Sequence, residues 1–157
     1  EPTLNTQVGE VIRRIKEVGS IPVAVITNAS LLHLPQLRQE LLRADLIVPS
    51  LDAVFTEIFQ RINKPHQEIK IEKIIEGLIN LRKEFRGKIW LEVMVVRGVN
   101  DDLEHIRKLK DVLDRVNPDK IQINSAVRVT AEQGVLPAET RKLNKIKEIL
   151  GDKCEII

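Results

Sequence analysis

Short runs of Val and Ile alternate with amphipathic segments along nearly the whole chain, and this alternation limits the fold more than any other feature. Ile21 to Thr27, Leu46 to Val48, Ile89 to Val96 and Lys120 to Val127 read as strands bounded by turn-forming residues. Between them apolar residues recur at helical spacing. Val8, Val11, Ile12, Ile15 and Val18 fall on one face of residues 6–18, with Thr6 as the expected cap and Gly19 as the stop. Pro35 suits the first turn of a helix that buries Leu37, Leu41 and Leu42. A short helix over about 53–62 ends before the breaker cluster Asn63-Lys64-Pro65. The next helix places Ile71, Ile74, Ile75, Leu78, Leu81 and Phe85 on one face and stops at Gly87. Asp101 and Glu104 have capping-box spacing for a helix burying Leu103, Ile106, Leu109, Leu113 and Val116. A last helix over 137–150 precedes a short terminal strand at 154–157.

Strands that alternate with helices pair in parallel, because each crossover returns the chain to the same end of the sheet. The expected class is α/β, in a single domain spanning 1–157. An open doubly wound sheet and a partial β/α barrel both fit that pattern, and strand parity separates them. A sheet covered on both faces needs apolar residues at both parities. Here Trp90, Glu92, Met94 and Val96 share one face, and Gln122, Asn124, Ala126 and Arg128 share one face of the following strand. Ile121, Ile123 and Val127 take the opposite parity. Apolar residues packed on helices and polar residues pointing into a lumen describe a barrel. The strand exits read Thr27-Asn28, Ser50-Leu51-Asp52, Arg97-Gly98 and Asn124-Ser125. In parallel β/α folds, ligands sit at that edge.

Composition excludes several classes. With 43% hydrophobic and 31% charged residues the chain is globular, and a net charge of +2 argues against a dedicated nucleic-acid surface. No apolar run reaches the ~18 residues of a membrane span, so no membrane partner is expected. One cysteine, Cys154, forbids an internal disulfide and suits a reducing, cytoplasmic setting. His33, His66 and His105 have no metal-ligand spacing, so no metal site is expected. None of the seven glycines lies in a dinucleotide-binding or P-loop pattern, which disfavours a flavodoxin-like ligand-binding domain.

Ordered motifs point further. Glu1-Pro2-Thr3 resembles the end of the Gly-Gly-Glu-Pro-Thr motif that follows the second barrel strand of radical S-adenosylmethionine (SAM) enzymes. Ile26-Thr27-Asn28 resembles the Thr-Asn-Gly ending of their third strand, with Ala29 in place of the glycine. Val48-Pro49-Ser50-Leu51-Asp52 is similar to the Ser-x-Asp ending of the fourth strand, and Ile62-Asn63-Lys64-Pro65-His66 to an Ile-Asn-Arg-Pro-His segment. Met94 to Asp101 is similar to the fifth-strand ending of activases and of the molybdenum-cofactor protein of this superfamily. The resemblance spans residues 1 to about 130 and, within the superfamily, leans toward wyosine-type tRNA-modification enzymes and glycyl-radical activases.

This resemblance implies a partial (β/α) barrel lacking the first two strands, the C-terminal part of an iron–sulfur oxidoreductase. The complete enzyme would bind SAM on a [4Fe–4S] cluster and release a 5′-deoxyadenosyl radical. Glu1 and Pro2 would lie near the methionine amino group, and Ser50 and Asp52 near the ribose hydroxyls. Thr27, Asn28 and Asn124 would be further polar contacts, Val96 would face the adenine, and Glu92 and Arg128 would meet substrate. No Cys-x-x-x-Cys-x-x-Cys is present, so this chain is expected to hold neither cluster nor SAM by itself and to be inactive alone. The competing expectation is a non-catalytic half-barrel serving binding or assembly, including a homodimer formed through exposed strand edges. The substrate, whether small molecule, protein or tRNA, is not legible.

Overall fold

A computed structural model of the chain describes residues 1–126 and 134–157. A short 3-10 turn, Pro2–Leu4, leads into α1 (Val8–Val18), followed by β1 (Ala24–Thr27), α2 (Pro35–Leu41) and β2 (Leu46–Pro49). Then come α3 (Thr56–Asn63), α4 (Ile71–Glu84), β3 (Lys88–Val95), α5 (Leu103–Val116), β4 (Lys120–Ser125), α6 (Thr140–Leu150) and β5 (Cys154–Ile156).

The strands form one five-stranded sheet in the order β1-β2-β3-β4-β5, every pair parallel. A doubly wound sheet reverses its strand order at a switch point. This one does not. Parity agrees: Ile89, Leu91, Val93 and Val95 on β3 are fully buried, while Trp90, Glu92 and Met94 between them stay partly open. On β4, Ile121 and Ile123 are buried and Gln122 and Asn124 are half-buried. One face therefore carries the core and the other is free, as in an incomplete barrel.

The core is apolar and continuous, with Leu78, Leu81 and Phe85 of the α4 region and Ile106 and Leu109 of α5 wholly enclosed with the inner residues of β3. Gly77 permits α4 to approach the chain after β1, since a Cβ there would stand 2.5 Å from the Leu32 carbonyl carbon and 2.6 Å from the His33 nitrogen. Arg38 of α2 is buried and bonds Glu84 of α4 with both Nε and Nη2, at 3.0 and 2.9 Å, and the Leu32 carbonyl with Nη1 at 2.9 Å.

Several local expectations are corrected. The first helix begins at Val8, and Gln7 rather than Thr6 precedes it without a side-chain cap. Asp102, not Asp101, caps α5, accepting the amides of Glu104 and His105. Asp101 instead accepts the Gly98 amide at 2.9 Å, closing the tight turn after β3 where Gly98 takes φ 68°. The first strand is shorter than expected because residues 21–23 are spent on the approach to the sheet, with the Val23 amide bonded to Asp45 at 2.8 Å. The helices expected at 53–62 and 137–150 start at Thr56 and Thr140, and β4 closes at Ser125.

Candidate active site at the strand exits

The exit of β1 is built by side chains that take up successive backbone amides. The Glu1 carboxylate accepts the Thr27 hydroxyl at 2.7 Å and the Asn28 amide at 2.6 Å, besides the amide and hydroxyl of Thr3. Thr27 accepts the Ala29 amide at 3.1 Å, and Asn28 accepts the Ser30 amide at 3.0 Å. This winding forces Ala29 to φ 64°, the left-handed conformation that suits glycine, in the position where the resemblance expects one. Burial opposes ionisation of Glu1, yet the hydrogen bonds from Thr3, Asn28 and Thr27 outweigh it and hold the carboxyl below its ordinary range. Pro2 opens the 3-10 turn beside it.

The exit of β2 is fastened from β3 and α5. Ser50 bridges Glu92 in parallel, and the Leu51 amide bonds the Glu92 carbonyl at 2.9 Å. Asp52 accepts the Met94 amide at 2.8 Å and the Asn63 side-chain amide at 2.8 Å. Both of its oxygens are thus engaged, and the residue is buried. Burial pushes its carboxyl above the ordinary aspartate value against those two hydrogen bonds, and the negative charge of Glu92 adds to the rise. The Ser50 hydroxyl, by contrast, has no hydrogen-bond partner among the described residues.

Two residues that sequence reading sets aside hold this region together. Asn100, fully buried, donates to the carbonyls of Asp52 and Met94 at 2.8 and 2.7 Å and accepts the Val96 amide at 2.7 Å. His105, also buried, accepts the Val54 amide on Nε2 at 3.2 Å, which leaves the proton on Nδ1 to bond the Asn100 carbonyl at 3.0 Å. Burial holds this imidazole below its ordinary value, so it is neutral. The signal was positional: a histidine in the first turn of the helix that follows a strand exit stands where loops converge, whatever its spacing to other histidines.

The exits of β3 and β4 complete the edge. Val96 is buried, and its outer side is covered by an antiparallel bridge to Pro137 and by the Arg97 amide bonded to the Leu136 carbonyl. On the open face, Asn124 donates to Glu92 at 2.5 Å. Two rungs toward the strand starts, Lys120 lies 4.5 Å above the Trp90 ring and 3.2 Å from Glu155, which also accepts from Gln122 at 2.8 Å. Glu1, Thr27, Asn28, Ser50, Asp52, Val96 and Asn124 thus all belong to the C-terminal edge of the sheet, with Glu92 on the open face beside it. Arg128 lies outside the described residues.

The family model for the radical SAM superfamily matches residues 1–109, more than half of the chain. The chain belongs to the radical SAM superfamily. This radical SAM chain is 36% identical over 156 residues to a protein named GTPase Obg from Brachyspira hyodysenteriae, covering 99% of this chain and 23% of that protein. It is 30% identical over 152 residues to a UPF0026 protein of Methanocaldococcus jannaschii, covering 97% of this chain and 47% of the relative. The chain therefore spans less than half the length of either relative. Its fold superposes on a domain of pyruvate-formate lyase-activating enzyme from Bacteroides vulgatus with a TM-score of 0.82 at 18% identity, covering 99% of this chain and 93% of that one. The partial barrel expected from strand parity is thereby found as a fold, and it is the radical SAM barrel that the motif resemblance implied.

Complete radical SAM enzymes use a [4Fe–4S] cluster together with SAM. The residues here do not fit that cluster, which needs three thiolates. Cys154 is the one cysteine of the sequence, and it pairs with Ile121 at the start of β4, away from the strand exits. Burial pushes its thiol up to about 11. Among the described residues no group of three or more His, Cys, Asp or Glu side chains is placed to hold a metal ion. Among them, too, no helix is long and apolar enough to cross a membrane.

Proposed function

We propose that this chain supplies the SAM-facing strand exits of a radical SAM oxidoreductase, and that radical generation belongs to a complete enzyme that brings the cluster thiolates. The observation that supports this reading most is the Ser50 hydroxyl, unengaged among the described residues on a strand exit whose neighbouring groups at Leu51, Asp52 and Val54 are tied to β3, Asn100 and His105. A preorganised hydroxyl of this kind suits a ribose hydroxyl of SAM. In this reading Asn28 and Asn124 add polar contacts, and Val96 with the following Gly98 presents apolar and backbone surface to adenine. Glu1, with Pro2 and Thr27, orients the edge nearest the methionine amino group. Asp52 serves the site by holding Ser50 in place, since its own oxygens are occupied within the fold. Glu92 faces the substrate, and Arg128, expected to join it, lies outside the described residues. The buried single cysteine suits a cytoplasmic setting.

Titration calorimetry of the complete, cluster-loaded enzyme with S-adenosylhomocysteine, a redox-inert stand-in for SAM, tests this. Saturable binding that weakens about three- to tenfold in Ser50→Ala, as expected for one lost hydrogen bond, supports it. Absence of binding, or a Ser50→Ala variant that binds equally well, overturns it.

A second reading, the half-barrel as an assembly module, has its own support. Among the described residues β1 pairs with β2 alone, and Ile26 of β1 is 64% exposed, as are Ile21 ahead of it at 77% and Val18 at the end of α1 at 90%. Such an edge favours pairing with another parallel strand, a second copy included. Sedimentation equilibrium decides: a monomer at all concentrations removes the homodimer.

A further inference from the structure

On the open face of the sheet, Glu92 and Asn124 form a pair whose hydrogen-bonding is incomplete in one direction. The Asn124 amide donates to one Glu92 oxygen at 2.5 Å. Its own carbonyl oxygen, Oδ1, is then sealed from solvent with no hydrogen-bond partner, the one such side-chain atom among the described residues. Flipping the amide does not repair this, because it would set Oδ1 against the Glu92 carboxylate. The second Glu92 oxygen has no hydrogen-bond partner among the described residues either, and none of them places a cation on it. Of the lysines on the same face, Lys120 is held away by Trp90 and Glu155, and Lys88 at the start of β3 pairs with Asp119 at 3.7 Å. Asp52 stands close enough to feel the Glu92 charge. Among the described residues the locale therefore offers acceptors and negative charge and lacks a donor. A buried acceptor left unpaired costs on the order of 1–3 kcal/mol, so its retention calls for a partner that arrives from outside.

We propose that Glu92 and Asn124 form a subsite for the cationic N–H group of a substrate, a primary ammonium or a guanidinium. An anionic group is repelled there, and a neutral hydroxyl satisfies the hydrogen bond without the charge. The proposal rests on reading the C-terminal edge of the sheet as the ligand end. It goes beyond that reading by naming the substrate chemistry.

The test uses the 15N-labelled chain and follows by NMR the backbone amide resonances of residues 92–94 and 124, together with the Asn124 side-chain amide where it is present. The probe is n-butylammonium, with n-butanol and butyrate as controls at constant ionic strength. A saturable shift with the ammonium, a clearly weaker one with butanol and none with butyrate is expected. Glu92→Gln keeps the shape and should weaken the interaction about tenfold, while Asn124→Ala keeps the carboxylate and should weaken it about threefold. Equal response to butanol, or undiminished binding in Glu92→Gln, overturns the proposal. So does ammonium binding that emerges only in Arg128→Ala, because that would assign the pair to an arginine of the chain itself. S-adenosylhomocysteine separates the two readings. If it fails to bind while butylammonium still does, the SAM assignment falls and this subsite stands.

Discussion

Asp52 accepts the backbone amide of Met94 at 2.8 Å, so a carboxylate leaving β2 fastens the open face of β3. Its second oxygen takes the side chain of Asn63, which anchors the end of α3 to the same point. A group expected to reach for ligand is thus committed inside the protein.

Asp52→Ala should cost about 2 kcal/mol or more, because it leaves a Met94 amide without a partner. Asp52→Asn keeps the acceptor for Met94 and should fold with near-native stability. The pH response follows from the raised carboxyl. Between the ordinary value of 3.8 and the higher native value, the folded chain holds a proton that the unfolded chain has released. Asp52 therefore lowers stability as pH rises through that window. Urea unfolding of the two chains across it should show Asp52→Asn gaining on the native protein as pH rises, and a pH-independent difference would refute the burial argument.

At Ala29 the left-handed backbone costs ~1 kcal/mol, and a buried methyl returns ~0.8 kcal/mol. Ala29→Gly should consequently leave stability within about 0.5 kcal/mol of native. Ala29→Val, branched at a positive φ, should lose about 2 kcal/mol or more. Urea denaturation measures both, and a tolerated valine would contradict the assigned turn.

Gly77→Ala should be among the more damaging single-methyl changes, costing about 2 kcal/mol or more, because the new carbon meets backbone of Leu32 and His33 that cannot swing aside. Gly19 is the control. Nothing lies within 4 Å of a Cβ there, and its backbone is extended, so Gly19→Ala should be neutral or slightly stabilising. Thermal melts of the two variants should diverge.

Cys154 is buried, and its raised thiol leaves little thiolate near neutrality. A colorimetric disulfide reagent at about pH 8 should modify the native chain at least about a hundredfold more slowly than the urea-unfolded chain. Rapid native labelling would show that β5 opens readily.

The alternation of strands and helices was legible because period-2 and period-3.6 patterns leave separate marks, and the parity of β3 told an open face from a covered one. The clustering at the strand exits followed from topology, since parallel strands bring their ends together. What remained hidden was decided by register. Asp101 and Asp102 are adjacent acids that both suit a cap, and only the path after Gly98 assigns Asp102 to α5. The commitment of Asp52 depends on Asn63 and Met94, which lie far along the chain. Asn100 and His105 read as a loop residue and a stray histidine, because nothing local announces that two strand exits, those of β2 and β3, converge on them.

The strictly sequential strand order governs how the chain can be assembled. Each strand from β2 to β5 pairs with the strand made just before it, so no later strand has to slip between two that have met. As each strand emerges from the ribosome, the previous one waits with an open side. Among the described residues β1 and β5 each pair with a single neighbour, so any strand added to the sheet has to come to one of these two edges.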